Sequence, residues 1–367
     1  MKIKRLQINN FKSLVDFELR DLKSFCAFVG PNASGKSNIF EALEFTNYLI
    51  RYNRETPAFF GGLQNIVSFN KRDSDVEPVN VTKNDINFLY QFDDYIFMSL
   101  GAKIQAEDND RFTTVRSVGL SSRNMKATLV PFEIRDLDKR KNFIYEWERS
   151  GDSYDGDFEQ FADNFSRIFV GKSFLNRGPQ VANKLTGDAS NVAQILGSIL
   201  ENKEKKDDFI EWLRLLIPEF KDIEVRKSNI NGEYDFFIYE KGTDKPFSRN
   251  LISDGTYNIL SLMAAVYQST QPQFLCIEEP ENGLHPQAIE LLVDFFREKC
   301  EEEGHYIWLN THSQTLVRSL EIDEVILVNK LNGQTQAKQL RKEDQVNIKT
   351  DEAWLSNALG GGVLWSK

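Results

Sequence analysis

The chain has 367 residues, 41% of them hydrophobic and 28 of them Phe, which allows one large domain or two modest ones with a real core. Its formal charge of −10 excludes a broad basic surface, so any nucleic acid contact would need a local patch. Cys26, Cys276 and Cys300 are scattered without a C-x-x-C, which excludes a zinc hook or a disulfide framework and fits a reducing compartment. The charged start, Met1 to Leu6, lacks the apolar run of a secretory signal, and no stretch approaches the ~18 apolar residues of a membrane span. A cytoplasmic chain with no membrane partner is expected.

In chain order, Ile3 to Ile8 alternates apolar and polar residues and predicts a half-buried strand. Val15 to Leu19 alternates again and predicts its hairpin partner. Ser24 to Val29 is an apolar run of strand length, followed by the glycine loop Gly30-Pro31-Asn32-Ala33-Ser34-Gly35-Lys36-Ser37 and a helix to about Arg51 or Tyr52. Residues 66–147 read mostly as strands, among them Ile86–Phe92, Tyr95–Leu100 and Asn142–Trp147, with Asp/Asn/Gly-rich breaks. Residues 157–221 read as helical, because Phe158, Phe161, Phe165 and Phe169, and then Val192, Ile195, Leu196 and Ile199, recur every three or four positions. Ile223 to Glu240 returns to strand, with Asn231-Gly232 as a hairpin signal. Helix and strand then alternate from Thr256 to Val328, which argues for a parallel sheet with helices on its faces. Asn332-Gly333 predicts a last hairpin.

The glycine loop reads G-x-x-x-x-G-K-S between a strand and a helix, the context of a phosphate-binding loop. Gly30 and Gly35 permit close approach of the backbone, and loop N–H groups with the helix N-terminus favour an anion. Lys36 is placed to reach the β- and γ-phosphates, and Ser37 to put its hydroxyl on Mg²⁺. Phe274 to Ile277 followed by Glu278-Glu279 reads as a buried strand delivering two acids at its C-terminal end, where α/β sheets bind ligands. Glu278 is the expected Mg²⁺ group and Glu279 the expected base for an attacking water, pointing opposite ways along the strand. His312, in Asn310-Thr311-His312-Ser313 just past another strand, is the third catalytic expectation. Ser253, Asp254 and Gly255 stand before a helix. Ser253 or Asp254 could simply cap it, or Ser253, Gly255 and the free N–H groups could receive a γ-phosphate brought by another subunit.

These pieces in this order resemble the ABC-type ATPase heads of the RecF, SMC and OLD group: phosphate loop, long insertion, S-D-G-T, an apolar strand with E-E-P-E-N-G-L-H-P, then T-H-S. The opening Leu6 to Ser13, the Gly-Lys-Ser-Asn ending at Asn38, and the D-loop-like Pro280 to Pro286 add to the likeness, which is good over about 1–60 and 220–330. The resemblance implies a P-loop NTPase of the α/β class, an ABC-type head with an antiparallel β lobe and a helical insertion. It divides the chain into 1–155 (phosphate loop and β lobe), 156–221 (helical lobe), 222–345 (signature, acids and His switch) and 346–367 (tail). It also implies that the loop residues Gly30 to Asn38 and the corner Ser253, Asp254 and Gly255 bind ATP, that Ser37 and Glu278 hold Mg²⁺, and that Lys36, Glu279 and His312 are catalytic.

Departures narrow the group. The lobes consume the stretch between Lys36 and Glu279, so no long coiled-coil arm is expected and SMC proper is excluded. RecF proper lacks this acid motif. Only ~40 residues follow Val328, below the ~50-residue floor of a domain, so the nuclease domain of OLD enzymes is not expected. No Q-loop glutamine stands out among Gln64, Gln91 and Gln180. The implied activity is ATP hydrolysis in a homodimer sandwiching ATP between heads, with a higher oligomer left open. The first reading of its role is a sensor or scaffold holding a nuclease or toxic effector encoded nearby, as in AAA-type ATPases of bacterial anti-phage defence systems. The alternative is a RecF-type repair ATPase acting on DNA. The tail around Trp354 and Leu364-Trp365 reads either as self-packing or as a partner dock, and Lys139-Arg140-Lys141 as an exposed turn.

Overall fold

The structure, a computed structural model, describes residues 5–52, 56–61, 65–66, 86–91, 96–105, 111–120, 163–172, 181, 183–229, 232–344, 349–356 and 359. The basic cluster at 139–141, the strand expected at 142–147, Phe158, Phe161, Gln64, Gln180, Asn231 and Leu364-Trp365 lie outside the described residues. The elements run β1 (Arg5–Asn9), β2 (Phe17–Arg20), β3 (Phe25–Val29), α1 (Lys36–Tyr52), β4 (Ile86–Gln91), β5 (Ile96–Gln105), β6 (Arg111–Leu120), β7 (Phe165–Ile168), α2 (Val192–Glu201), α3 (Lys203–Leu216), β8 (Phe220–Lys227), β9 (Tyr234–Glu240), β10 (Phe247–Ser248), α4 (Asp254–Tyr267), β11 (Phe274–Glu278), α5 (Pro286–Glu302), β12 (Tyr306–Thr311), α6 (Gln314–Arg318), β13 (Val325–Leu331), β14 (Gln334–Gln339) and α7 (Thr350–Leu355).

Two compact units divide the chain. The first comprises Met1–Leu22, Glu41–Asp163 and Lys330–Gln336, and the second Lys23–Phe40, Asn164–Asn329 and Ala337–Lys367. The first carries a five-stranded antiparallel sheet in the order β2-β1-β4-β5-β6. Leu6 and Ile8 of β1 are fully buried, as their alternation requires. Phe11, Phe45 and Phe60 continue that core, with ring centroids 5.5 Å and 5.1 Å apart along the chain of contacts. Gln91 ends β4 in this sheet.

The second unit holds the chemistry. Its six-stranded sheet runs β14-β13-β3-β12-β11-β7, and β13, β3, β12, β11 and β7 pair in parallel. Every residue of β3 and of β11 is buried, so both strands read as continuous apolar runs rather than alternating ones. Register places Glu278 opposite Asn310 and Val29 opposite Thr311, so the C-terminal ends of β11, β12 and β3 come level. Trp308 of β12, fully buried, packs on Phe28 at 5.6 Å and Phe274 at 4.7 Å, and Phe28 meets Phe40 of α1 edge-on at 5.4 Å. Each such pair adds about 0.5–1.5 kcal/mol beyond its buried area, which holds the loop between β3 and α1 against the sheet.

One expected helix is a strand. Phe165 opens β7, which pairs with β11 at the sheet edge, and Phe169 lies one residue past its end. A spacing of four fits one helix face, but it also fits one strand face, so the two periods coincide there. β7 reads Phe-Ser-Arg-Ile, with its two polar residues adjacent and all four residues buried, so no apolar-polar alternation marks it as a strand. The Val192–Ile199 pattern does form a helix, with Val192, Ile195, Leu196 and Ile199 buried. The last hairpin turns on Asn332 and Gly333, both with positive φ (50° and 77°), as a tight two-residue turn demands. Trp354 and Leu359 are buried in the unit's own core. No described helix is long and apolar enough to cross a membrane.

Candidate active site

The loop between β3 and α1 is bent by Ala33 (φ 63°) and Gly35 (φ 99°), two left-handed residues two apart. That curvature turns successive N–H groups to one side, forming an anion-binding concavity at the helix N-terminus. Ala33 has a Cβ, so its conformation is strained where Gly35's is not. Gly30 has a different constraint: a Cβ there would lie 2.1 Å from the Val328 carbonyl oxygen of β13. Lys36 is buried, and its Nζ donates to the carbonyls of Gly30 at 2.7 Å and Pro31 at 2.8 Å. Burial pushes its ammonium down to about 8, against the pull of Glu279, Glu281 and Glu278.

The two acids at the C-terminal end of β11, Glu278 within it and Glu279 just past it, sit at this loop and have separate partners. Ser37 Oγ donates to Glu278 Oε2 at 2.6 Å, and Asn310 Nδ2 reaches both Ser37 Oγ (3.1 Å) and Glu278 Oε2 (3.2 Å). The other oxygen, Oε1, takes two N–H groups of Arg167 from β7, the Nε at 2.7 Å and Nη2. Glu279 has left the strand. Its φ is 47°, its N–H donates to Asn310 O at 2.8 Å, and it opens the turn that Asn282 and Leu284 close. That left-handed residue, rather than strand alternation, sends the two carboxylates apart. Glu279 Oε2 accepts from Asn282 Nδ2 at 3.0 Å, and Oε1 lies 3.6 Å from His312 Nδ1. His285 instead caps α5, and His305 is buried with Nδ1 accepting the Gln273 N–H at 3.1 Å.

The corner before α4 is a cap first. Ser253 Oγ accepts the Thr256 N–H at 3.1 Å. Among the described residues Ser253, Asp254 and Gly255 share no hydrogen bond or ion pair with the loop or with Glu278 and Glu279. They are tied instead to the turn after the acids. A Cβ on Gly255 would lie 2.4 Å from Gly283 O, and Asn258 Nδ2 donates to Pro280 O at 3.0 Å and Asn282 O at 2.9 Å.

Sequence reading missed four members of this site: Arg167, Asn258, Asn310 and Glu281. Asn310 and Glu281 each lay within a quoted motif but were given no role there. Burial raises the Glu281 carboxyl, whose Oε1 accepts from Thr311 Oγ1 and whose buried Oε2 has no hydrogen-bond partner among the described residues. Arg167 and Asn258 carried no signal in the sequence.

A nucleotide with Mg²⁺ fits these residues. The donors are hard oxygens, a hydroxyl and a carboxylate 2.6 Å apart, as Mg²⁺ requires when it keeps water and phosphate as its other ligands. Asn310 Oδ1 beside them is buried without a partner among the described residues, and the loop's concavity suits an anion.

The chain is similar to several known proteins. The family described as "AAA domain, putative AbiEii toxin, Type IV TA system" matches residues 25–318. The chain is 21% identical to a Helicobacter pylori protein named ATP/GTP phosphatase, over 94% of each chain. A 75-residue stretch is 35% identical to the DNA replication and repair protein RecF of Glaesserella parasuis, covering 17% of this chain and 21% of that protein. Among solved structures, an SMC head bound to the C-winged helix domain of ScpA matches at TM-score 0.52, with 14% identity over 94% of this chain and 98% of that one. An SMC head with an extended coiled coil, bound to the C-terminal domain of ScpA derived from Pyrococcus furiosus, matches at 0.53, with 13% identity over 93% and 97%. The chain belongs to this AAA-domain family and is a P-loop ATPase with the ABC-type head fold of the RecF and SMC group.

Proposed function

We propose that two copies of this chain close head to head on ATP and that hydrolysis reopens them. In this reading Gly30, Pro31, Asn32, Ala33, Ser34, Gly35 and Asn38 line the phosphates, and Lys36 adds its charge at the β- and γ-positions. Ser37 and Glu278 hold Mg²⁺, which when bound neutralises charge on the phosphate oxygens. Glu279 accepts the proton of the attacking water, and His312 orients that carboxylate from the other side. Ser253, Gly255 and the start of α4 reach the γ-phosphate held by the opposite copy. The observation carrying this is the division of labour inside one chain. Loop, acids and His312 meet at one end of the sheet, whereas, among the described residues, Ser253 hydrogen-bonds only within the first turn of α4 and Gly255 abuts the turn at 280–283, which Asn258 of the same helix holds.

The switch so formed would control a partner effector, a nuclease or toxin, in bacterial anti-phage defence. Support comes from the family's description, which names a toxin of a Type IV system, and from SMC heads described with a bound protein, ScpA. The 75-residue likeness to RecF favours a second reading, repair on DNA. Steady-state ATPase with and without duplex DNA, across salt, separates them. DNA-stimulated, salt-sensitive turnover supports repair, whereas DNA-independent turnover with co-purification of a neighbouring gene product supports effector control.

A further inference from the structure

The metal carboxylate is held by a residue outside every motif. Arg167 sits in the middle of β7, whose register sets it level with Cys276, two residues before Glu278. Its side chain is 3% exposed and that of Glu278 2%, so neither charge has water to neutralise it. The two N–H groups that Glu278 accepts from it both go to one oxygen, Oε1. Oε2 is left to Ser37 and Asn310. A buried glutamate has three side-chain torsions and would otherwise turn either oxygen toward the loop. The arginine's rigid fork removes that freedom, where a lysine's single ammonium would pivot.

We propose that Arg167 is a positioning residue for the metal: it pins Oε1 so that Oε2 alone faces Ser37 and the nucleotide-borne Mg²⁺. Its charge also cancels that of Glu278, which leaves the pair with little hold on a bare cation, so the metal enters with the phosphates. The inference rests on the reading of Glu278 as the metal group.

The test is Mg²⁺-dependent binding of a fluorescent, non-hydrolysable ATP analogue to the full chain, which does not require turnover. Arg167→Met should raise the half-saturating Mg²⁺ roughly 10–100-fold, the usual effect of removing a group that orients a metal ligand, while metal-free analogue affinity stays unchanged. Arg167→Lys keeps a cation inside and decides the matter should Arg167→Met fail to fold. It should still shift the midpoint several-fold toward that of Glu278→Gln. A folded Arg167→Lys with the wild-type Mg²⁺ midpoint overturns the positioning role. A wild-type midpoint in Glu278→Gln overturns the metal assignment itself and this inference with it.

Discussion

Asn258, in the second turn of α4, donates its side-chain amide to two carbonyls of the turn that follows the acids, Pro280 at 3.0 Å and Asn282 at 2.9 Å. The same turn starts at Glu279, whose left-handed φ of 47° is sustained only by what surrounds it. The helix that begins with Ser253 and the carboxylate that would activate water are therefore fastened to one another through one buried amide.

Asn258→Ala should loosen that turn and leave two carbonyls short of a donor. Stability should fall by about 1–3 kcal/mol, the cost of an unsatisfied buried group. Turnover should drop more than the KM for ATP rises, because Lys36 and the loop keep their own contacts. Denaturant melts and steady-state kinetics on the same protein check both. Equal losses in kcat and in binding would show that the turn serves the loop as well.

Gly30 and Gly255 should both refuse a methyl group, with different consequences. The Gly30 Cβ would meet a sheet carbonyl at 2.1 Å and the Gly255 Cβ the Gly283 carbonyl at 2.4 Å, and backbone cannot swing away. Gly30→Ala should destabilise the fold by at least the ~1–3 kcal/mol of overpacking. Gly255→Ala should cost less stability, since Gly255 is half-buried in the first turn of α4 and Gly283 lies on an exposed turn, and should impair ATP-dependent self-association more. Thermal melts paired with light scattering distinguish them.

Lys36 makes a pH prediction. Burial brings its amine down to about 8, so in the free protein part of the population is neutral just above that pH. Phosphate favours the charged form. ATP binding should therefore take up protons near pH 8.5, take up almost none at pH 6.5, and weaken as pH rises past 8. Calorimetry in buffers of different ionisation heat measures the uptake, and Lys36→Arg, which stays charged, should abolish it.

How much of this could be read beforehand follows from range. The loop is a local matter: a strand, eight residues and a helix specify it, and α1 runs to Tyr52 as its apolar spacing requires. The acid pair was legible because four apolar residues ending in Glu278-Glu279 fit a buried strand end, and the phosphate loop and the later motif favoured that over an acidic helix cap. Arg167 was not, because its meaning depends on β7 lying beside β11, a pairing between segments more than a hundred residues apart. Phe165 and Phe169 were misread for the same reason, since only the neighbouring strand decides between two periods that share a spacing of four. The tie between Asn258 and the turn is likewise tertiary; nothing in Tyr257-Asn258-Ile259 distinguishes a clamp from an ordinary helix residue.

Glu279 carries the central claim, and light scattering of Glu279→Gln with ATP and Mg²⁺ tests it most directly. An amide cannot take the water's proton, so nucleotide should stay bound, hydrolysis should fall by roughly 10²–10⁴-fold, and the chain should accumulate as a dimer that returns to monomer when ATP is removed. A Glu279→Gln protein that hydrolyses ATP at the wild-type rate, or that stays monomeric with ATP bound, contradicts the account.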